Sequence, residues 1–348
     1  INFDAEGILW DCMISLEGRT LGNVVPGLGV VYQHWLENKF GEQRARLGAA
    51  DNISIIEGVS QNISQGTVTD YQANAEALFQ DVSSSQGNSF YFIANSGEDT
   101  PQLVRSTKSD SVDALAEIER TRNVIAVDVN AQEEVVASRL IYWADGRGWA
   151  DVFILNNGNW QALTQRQRLR NVRWINNDWM IASRKQFGIS ELVLLNKEGE
   201  QKSLWKADDE KSVIGDYDIA DDGTYLIASI KRANQGWNIE RLNLSGQEAD
   251  IVAELPWKAV TETKSVESSP QILPDGRILY SADYNDVYNV YVIDPITKKL
   301  QQLTHMLGGA FAPKFVLSSE KNESDYIVFQ AYTDEGFEFR EIDFESNT

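Results

Sequence analysis

Short apolar runs alternate with polar turns along most of the chain. "DGRILYSADYNDVYNVYVIDPITKKLQQLT", from Asp275, opens on a Gly turn and continues into the apolar run Ile278, Leu279, Tyr280 and Ala282. It then crosses a polar connection into a second run, where Val290 and Val292 alternate with polar partners. "DGTYLIASIKRANQGWNIERLNLSGQ", from Asp222, has the same layout. β-rich runs bounded by Gly, Asn and Asp predict strands joined by hairpins. The Asp222-Gly223 and Asp275-Gly276 pairs suit tight turns, because Gly tolerates positive φ.

Weaker copies begin at Asn177 ("NDWMIASRKQFGISELVLLNKEGEQKSL"), Ser138 ("SRLIYWADGRGWADVFILNNGNWQALT"), Ser324 ("SDYIVFQAYTDEGFEFREID") and Asn88 ("NSFYFIANSGEDTPQLVRSTK"). Six copies, spaced by roughly forty to fifty residues, match the length of a four-stranded propeller blade. A blade cannot cover its own faces, so several must stack in a ring with the apolar strand of each unit buried between neighbours. The pattern predicts a mainly β chain with a six-bladed β-propeller over residues 86–348.

The periodicity before it differs. "NVVPGLGVVYQHWLENKFGEQ" places Val31, Trp35, Leu36 and Phe40 at helical spacing, with Gly41 as a stop. "TVTDYQANAEALFQDV" offers Thr67 or Thr69 as an N-cap ahead of Tyr71, Ala75, Leu78 and Phe79. With a third helix in "DAEGILWDCMISLEG", a small α-helical subdomain is expected over residues 1–85, and "SSSQGN" at Ser83 to Asn88 reads as the joint. The start at Ile1, with neither an initiator Met nor a signal sequence, reads as a processed or truncated piece of something longer.

"SSPQILPDGRILYSADYNDVYNVYVIDPITKKLQQLT" resembles the unit S-P-x-x-S-P-D-G-x-x-I-x-Y-x-S … I-Y-x-x-D-x-x-T-G-x-x-x-x-L-T of the TolB-like propellers built from PD40 (WD40-like) repeats. Those are related in blade pattern to the propellers of the prolyl oligopeptidase and dipeptidyl peptidase families. The resemblance covers about Gln86 to Asp343; the blade around Asp275 matches closely, the others are degenerate, and Leu273 stands where the family has Ser. It implies an extracytoplasmic setting in a Gram-negative bacterium, periplasmic, outer-membrane-associated or secreted. It also implies a protein or peptide bound at the funnel or across a blade face. Propellers host many unrelated activities, so fold does not carry function.

"INFDAEGILWDCMISLEGRT" resembles the segment W-x-x-E-G-x-A-x-Y-x-E that follows the zinc-binding helix of gluzincin metallopeptidases. On that match Glu6, followed by Gly7, takes the place of the third metal ligand, and Phe3 replaces the Trp. "WLENKFGEQ" is similar to the "YLAEKYG" helix of the same domains. No H-E-x-x-H occurs in the chain, so the other two ligands and the general base are missing. Glu6 is therefore either a zinc ligand completed by residues upstream of this chain or a helix-start carboxylate favoured by the dipole.

Charge and composition narrow the classes. Lys plus Arg total 31 against 52 Asp plus Glu, a formal charge of −21 with the acids scattered, which excludes a phosphate-backbone partner and so nucleic acid. No run of eighteen apolar residues appears, so no helical membrane span is expected. A single Cys12 excludes an intramolecular disulfide. His34 and His305 have no second His or Cys at ligand spacing. Calcium is conceivable on the acidic loops, but Asp216, Asp218, Asp221 and Asp222 lack EF-hand spacing, and turn chemistry accounts for them. No cofactor is expected in this chain; zinc belongs to the longer parent, if to anything.

No G-x-S-x-G elbow, P-loop or G-x-G-x-x-G follows a strand, so serine-hydrolase and phosphate-cradling chemistry have no support. Arg166, Arg168, Arg170 and Arg173, in "QRQRLRNVRW", form the local basic cluster, fit either to hold an anionic ligand or to pair with carboxylates of neighbouring blades. Trp143, Trp149, Trp160, Trp174, Trp179, Trp205, Trp237 and Trp257 are spread over the middle blades, where aromatics stack on sugars, grip peptides or pack between blades. The favoured expectation is a non-catalytic propeller that binds or scaffolds a protein or peptide. The alternatives are the back part of a zinc metallopeptidase, associated in some such proteins with an outer-membrane barrel, and a polysaccharide-binding propeller.

Overall fold

A computed structural model describes residues 68–70, 83–94, 101–107, 116–120, 122–144, 146–318, 324–333 and 336–344. The chain divides into two compact units, Ile1–Gln61 and Asn62–Thr348, and every described residue belongs to the second.

The described residues form six four-stranded antiparallel sheets. Strand β1 is Val68–Asp70. Blade 1 comprises β2 (Ser83–Gln86), β3 (Ser89–Ala94), β4 (Gln102–Thr107) and β5 (Ala116–Arg120). Blade 2 follows with β6 (Val124–Val129), β7 (Val135–Tyr142), β8 (Gly148–Asn156) and β9 (Asn159–Ala162). Blade 3 holds β10 (Arg170–Trp174), β11 (Trp179–Gln186), β12 (Ile189–Asn196) and β13 (Gln201–Lys206). Blade 4 is β14 (Val213–Ile219), β15 (Tyr225–Lys231), β16 (Trp237–Ser245) and β17 (Val252–Ala259). Blade 5 is β18 (Glu267–Ile272), β19 (Ile278–Ala282), β20 (Asn289–Ile293) and β21 (Leu300–Gln302). Blade 6 combines β22 (Ala310–Val316), β23 (Asp325–Thr333) and β24 (Gly336–Phe344) with β1 on its outer edge. The first strand of each blade touches that of the next, closing a ring from β2 through β6, β10, β14, β18 and β22 back to β2. This is the six-bladed propeller that the repeat predicts.

Two-residue periodicity explains the packing, since successive side chains of a strand point to opposite faces. In β11, Met180 and Ala182 pack towards blade 2 beside Val136 and Val152, whereas Ile181 packs towards blade 4 beside Leu226 and Ala228. In β23, Ile327 and Phe329 face blade 5 while Tyr326 and Val328 face blade 1. A second strand is thus buried on both faces, which is why each reads as an unbroken apolar run. β20 departs from the alternation expected of it: Tyr291 is buried along with Val290 and Val292, because the third strand is also sandwiched between blades.

The final Thr of the repeat has a defined role. Thr164 accepts the Val152 N–H at 3.0 Å and donates to Asp151. Thr304 accepts the Val290 N–H and donates to Asn289. Thr261 accepts the Ile239 N–H in the same way. Each Thr ties the exit of a blade to a buried N–H of its third strand.

Ring closure corrects two local readings. Val68, Thr69 and Asp70 pair with Ile342, Glu341 and Arg340, so Thr69 is a strand residue and not a helix cap. The outer edge of β24 presents unpaired backbone groups, and a β-branched Val-Thr pair satisfies them. "SSSQGN" is no joint: Ser83–Gln86 is a strand, and Gly87 and Asn88 form the turn into β3. The remainder of the expected helical subdomain over residues 1–85, including its other helices, Glu6, Cys12 and His34, lies outside the described residues. No helix among the described residues is long and apolar enough to cross a membrane.

Candidate functional site

The inner strands bring polar side chains to the central axis. Five of them carry a bulge, between Val124 and Ala126, Arg170 and Arg173, Ile214 and Tyr217, Ser268 and Gln271, and Phe311 and Lys314. A bulge re-aims the side chains that follow it. Asp128 accepts the Ser84 hydroxyl from blade 1 and the Trp174 N–H from blade 3, both at 2.8 Å. Arg173 donates to the Val127 carbonyl at 2.6 Å and stands 4.0 Å from Asp128. Asp216 accepts Asn171 and Ser269, and Asp218 accepts the Ile272 N–H at 2.8 Å. Gln271 donates to Ser85 and accepts the Phe315 N–H. Each contact crosses between blades, so the axis is stitched by a polar ring.

Two charges in this ring are shifted. Burial raises the Asp218 carboxyl to about 6, against the opposing Ile272 N–H and the Lys314 and Arg173 cations. Burial and the Arg173 guanidinium lower the Lys314 ammonium, while Asp218, Asp216 and Asp128 oppose the change. At a second buried carboxylate, Glu267, Tyr284 and Thr263 donate to one oxygen at 2.8 Å each, and Thr261 and the Ile239 N–H donate to the other. Tyr280 and Tyr284 share a hydroxyl contact of 2.8 Å. Burial raises the Glu267 carboxyl despite these donors.

The mouth of the ring, on the face carrying the second-to-third-strand hairpins and the inter-blade connections, opens into a recess of about 750 Å³ between blades 2, 3 and 4. Its wall includes Arg147, Arg168, Arg170, Arg184 and Lys185, and among the described residues no Asp or Glu lines it. Arg184 pairs with Glu191 at 2.8 Å, whereas Arg168, Arg170 and Lys185 are exposed.

A local device presents two of the arginines in the approach to β10. Asp151, 1% exposed, accepts the Arg166 N–H at 2.7 Å, the Gln167 N–H at 2.8 Å and the Thr164 hydroxyl at 3.1 Å. Arg166 and Arg168 adopt φ of 58° and 62°. For bulky residues this left-handed backbone is disfavoured and persists only where the surroundings hold it; Asp151 and the buried Leu169 do so here. The Arg166 guanidinium lies 4.2 Å from the Trp143 ring, and that of Arg168 lies 4.0 Å from Trp149. Stacking of this kind fixes a guanidinium without consuming its hydrogen-bond donors.

The predicted basic cluster therefore divides. Arg173 turns inward to Asp128, Arg166 and Arg168 stack on tryptophans, and Arg170 faces the recess. Trp205 and Trp257 pack edge to face, Trp160 and Trp174 lie beside Arg139 and Lys197, and Trp237 lies under Gly215. Asp222 caps a turn by accepting the Thr224 N–H at 3.0 Å, whereas Asp216 and Asp218 line the axis. His305 lies 3.2 Å from Gln302, with its imidazole pulled down by burial. Among the described residues no cluster of three His, Cys, Asp or Glu could hold a metal. The axial residues Asp128, Gln271 and Lys314 and the clamp Asp151 escape motif reading; their signal is a polar residue in an otherwise apolar strand.

No protein-family model matches the chain, and no curated protein sequence does either. Its structure is similar to TolB from Acinetobacter baumannii, with a TM-score of 0.51 at 14% identity over 75% of this chain and 64% of that one. It is similar to a gluconolactonase from Xanthomonas campestris, with a TM-score of 0.53 at 10% identity over 82% of this chain and 97% of that one. A prolyl endopeptidase gives a TM-score of 0.50 at 13% identity over 75% and 46%. The chain thus spans less than two thirds of the length of TolB and less than half of the endopeptidase. What these likenesses carry is architecture: the chain has the TolB-like six-bladed propeller fold.

Proposed function

We propose that this chain is a non-catalytic propeller module that binds a protein or peptide at the recess between blades 2, 3 and 4, in an extracytoplasmic bacterial setting. One observation carries the reading: on a chain of net charge −21, five cationic side chains, of which Arg184 is paired with Glu191, converge on one recess of about 750 Å³ at the mouth of the axis, and among the described residues no Asp or Glu lines it. Scattered acids keep other surfaces solvated, and a local field of the opposite sign selects and orients a partner. The TolB-like fold agrees with a protein partner, and the clamp of Asp151 pre-forms the surface before any partner arrives. The lactonase and endopeptidase likenesses show that this architecture also hosts enzymes, and their activities are not transferred to this chain.

A photo-crosslinking residue placed at Arg170, with Lys299 on the opposite face as control, tests the proposal in a periplasmic extract. A discrete adduct from position 170 alone is expected. Adducts from position 299 alone, or turnover of a peptide or glycan library that survives further purification, would contradict it.

A further inference from the structure

The surroundings of the recess specify its ligand more narrowly, and we infer that it takes a short acidic peptide segment in which carboxylates alternate with apolar side chains. This inference rests on the docking site proposed above. The volume of about 750 Å³ lies within the roughly 300–1,000 Å³ typical of ligand sites. Exposed Arg168, Arg170 and Lys185 supply donors suited to carboxylates, and planar guanidinium groups pair with them bidentately.

Two aromatic side chains stand at its rim. Tyr142 is 67% exposed and lies against Gly148, where an added Cβ would meet the Tyr142 ring at 3.2 Å. Phe187, at the hairpin tip next but one to Lys185, is 87% exposed. Cationic walls with aromatic rims match acids interspersed with apolar groups.

Three features favour a peptide over an acidic sugar or a long polyanion. A sugar ring carries several hydroxyls that need acceptors as well as donors, and among the described lining residues the side-chain acceptors are Asn171, Ser183 and Ser190, with no carboxylate. One face of each neighbouring indole, Trp143 and Trp149, is covered by a guanidinium, and both indole N–H groups are buried. A long polyanion would meet repulsion from the net −21 charge beyond the recess, whereas a few charges on a peptide would not.

The test uses the full chain and a fluorescein-labelled octapeptide of alternating Glu and Phe or Gly, read by anisotropy. Its Glu-to-Gln counterpart and a uronic-acid oligosaccharide of equal charge serve as competitors. The Glu peptide should bind, with affinity falling as salt rises from about 20 to about 300 mM. The double variant Arg170→Glu, Lys185→Glu should weaken it roughly tenfold or more, and Lys299→Glu, an equal charge change on the opposite face, should not. Equal binding of the Gln peptide, still sensitive to the double variant, leaves the docking site standing and overturns the acidic class. Preference for the uronic-acid oligosaccharide overturns the peptide. Binding of no probe, or loss with Lys299→Glu alone, overturns the inference and the docking site together.

Discussion

The buried carboxylate of Asp151 accepts the amide N–H of Arg166 at 2.7 Å, so an acid on the third strand of blade 2 sets the backbone of the connection from which Arg166 and Arg168 project. Shape and charge at the recess are coupled through this one residue.

Replacing Asp151 by Ala leaves the part-buried N–H groups of Arg166 and Gln167 without their acceptor, at up to about 1–3 kcal/mol for each group that water does not reach. Asp151→Ala should lower the urea midpoint and free Arg166 and Arg168 from their tryptophans, seen as a change in Trp fluorescence. Asp151→Asn, which keeps one acceptor oxygen, should lose less. Equal midpoints for wild type and Asp151→Ala would remove the clamp.

Closure through β1 is a second dependence. A chain beginning at Asn62 retains this three-residue strand, and one beginning at Tyr71 lacks it. The shorter chain should be less stable by roughly 1–3 kcal/mol, the worth of a few net backbone hydrogen bonds. Matching denaturation curves would show that β24 needs no outer partner.

Removing buried Leu194, which packs towards blade 4, opens a cavity between blades 3 and 4. Leu194→Ala should cost about 2–5 kcal/mol with cooperativity preserved. A change near zero would mean that this interface is not packed as described.

The pH response has a definite sign. Asp218 titrates near 6 in the folded chain, above its ordinary 3.8, so the folded state holds a proton that the unfolded chain releases earlier. Stability should therefore fall as pH rises from about 4 to about 6, and the buried, raised Glu267 acts in the same direction. Asp218→Asn keeps an acceptor for the Ile272 N–H without an ionising group. Its melting temperature should match wild type near pH 3.5 and exceed it near pH 7. Parallel profiles would contradict the shift.

Legibility followed periodicity. Strands with two buried faces announce themselves as apolar runs, so all six blades were readable from copies such as that at Asp275. The closing strand was not: Val68 to Asp70 is too short for its period to be distinguished, and its partner lies at Arg340 to Ile342. The site was legible only as four arginines in one stretch. Their different destinations depend on positive φ at Arg166 and Arg168 and on Asp151, fifteen residues before Arg166, and no local pattern records either. The axial acids look like loop residues in the sequence because Asp216, Asp218 and Asp222 stand close together, although a bulge turns the first two inward and the third caps a turn.

Hydrogen-exchange mapping of the full chain with and without the acidic octapeptide tests the central claim, a docking site at the mouth between blades 2, 3 and 4, most directly. The account predicts slowed exchange confined to the 164–171 and 184–190 segments. Protection at the opposite face, in the turns at Asn130 to Glu134 or Asp294 to Lys299, would contradict it.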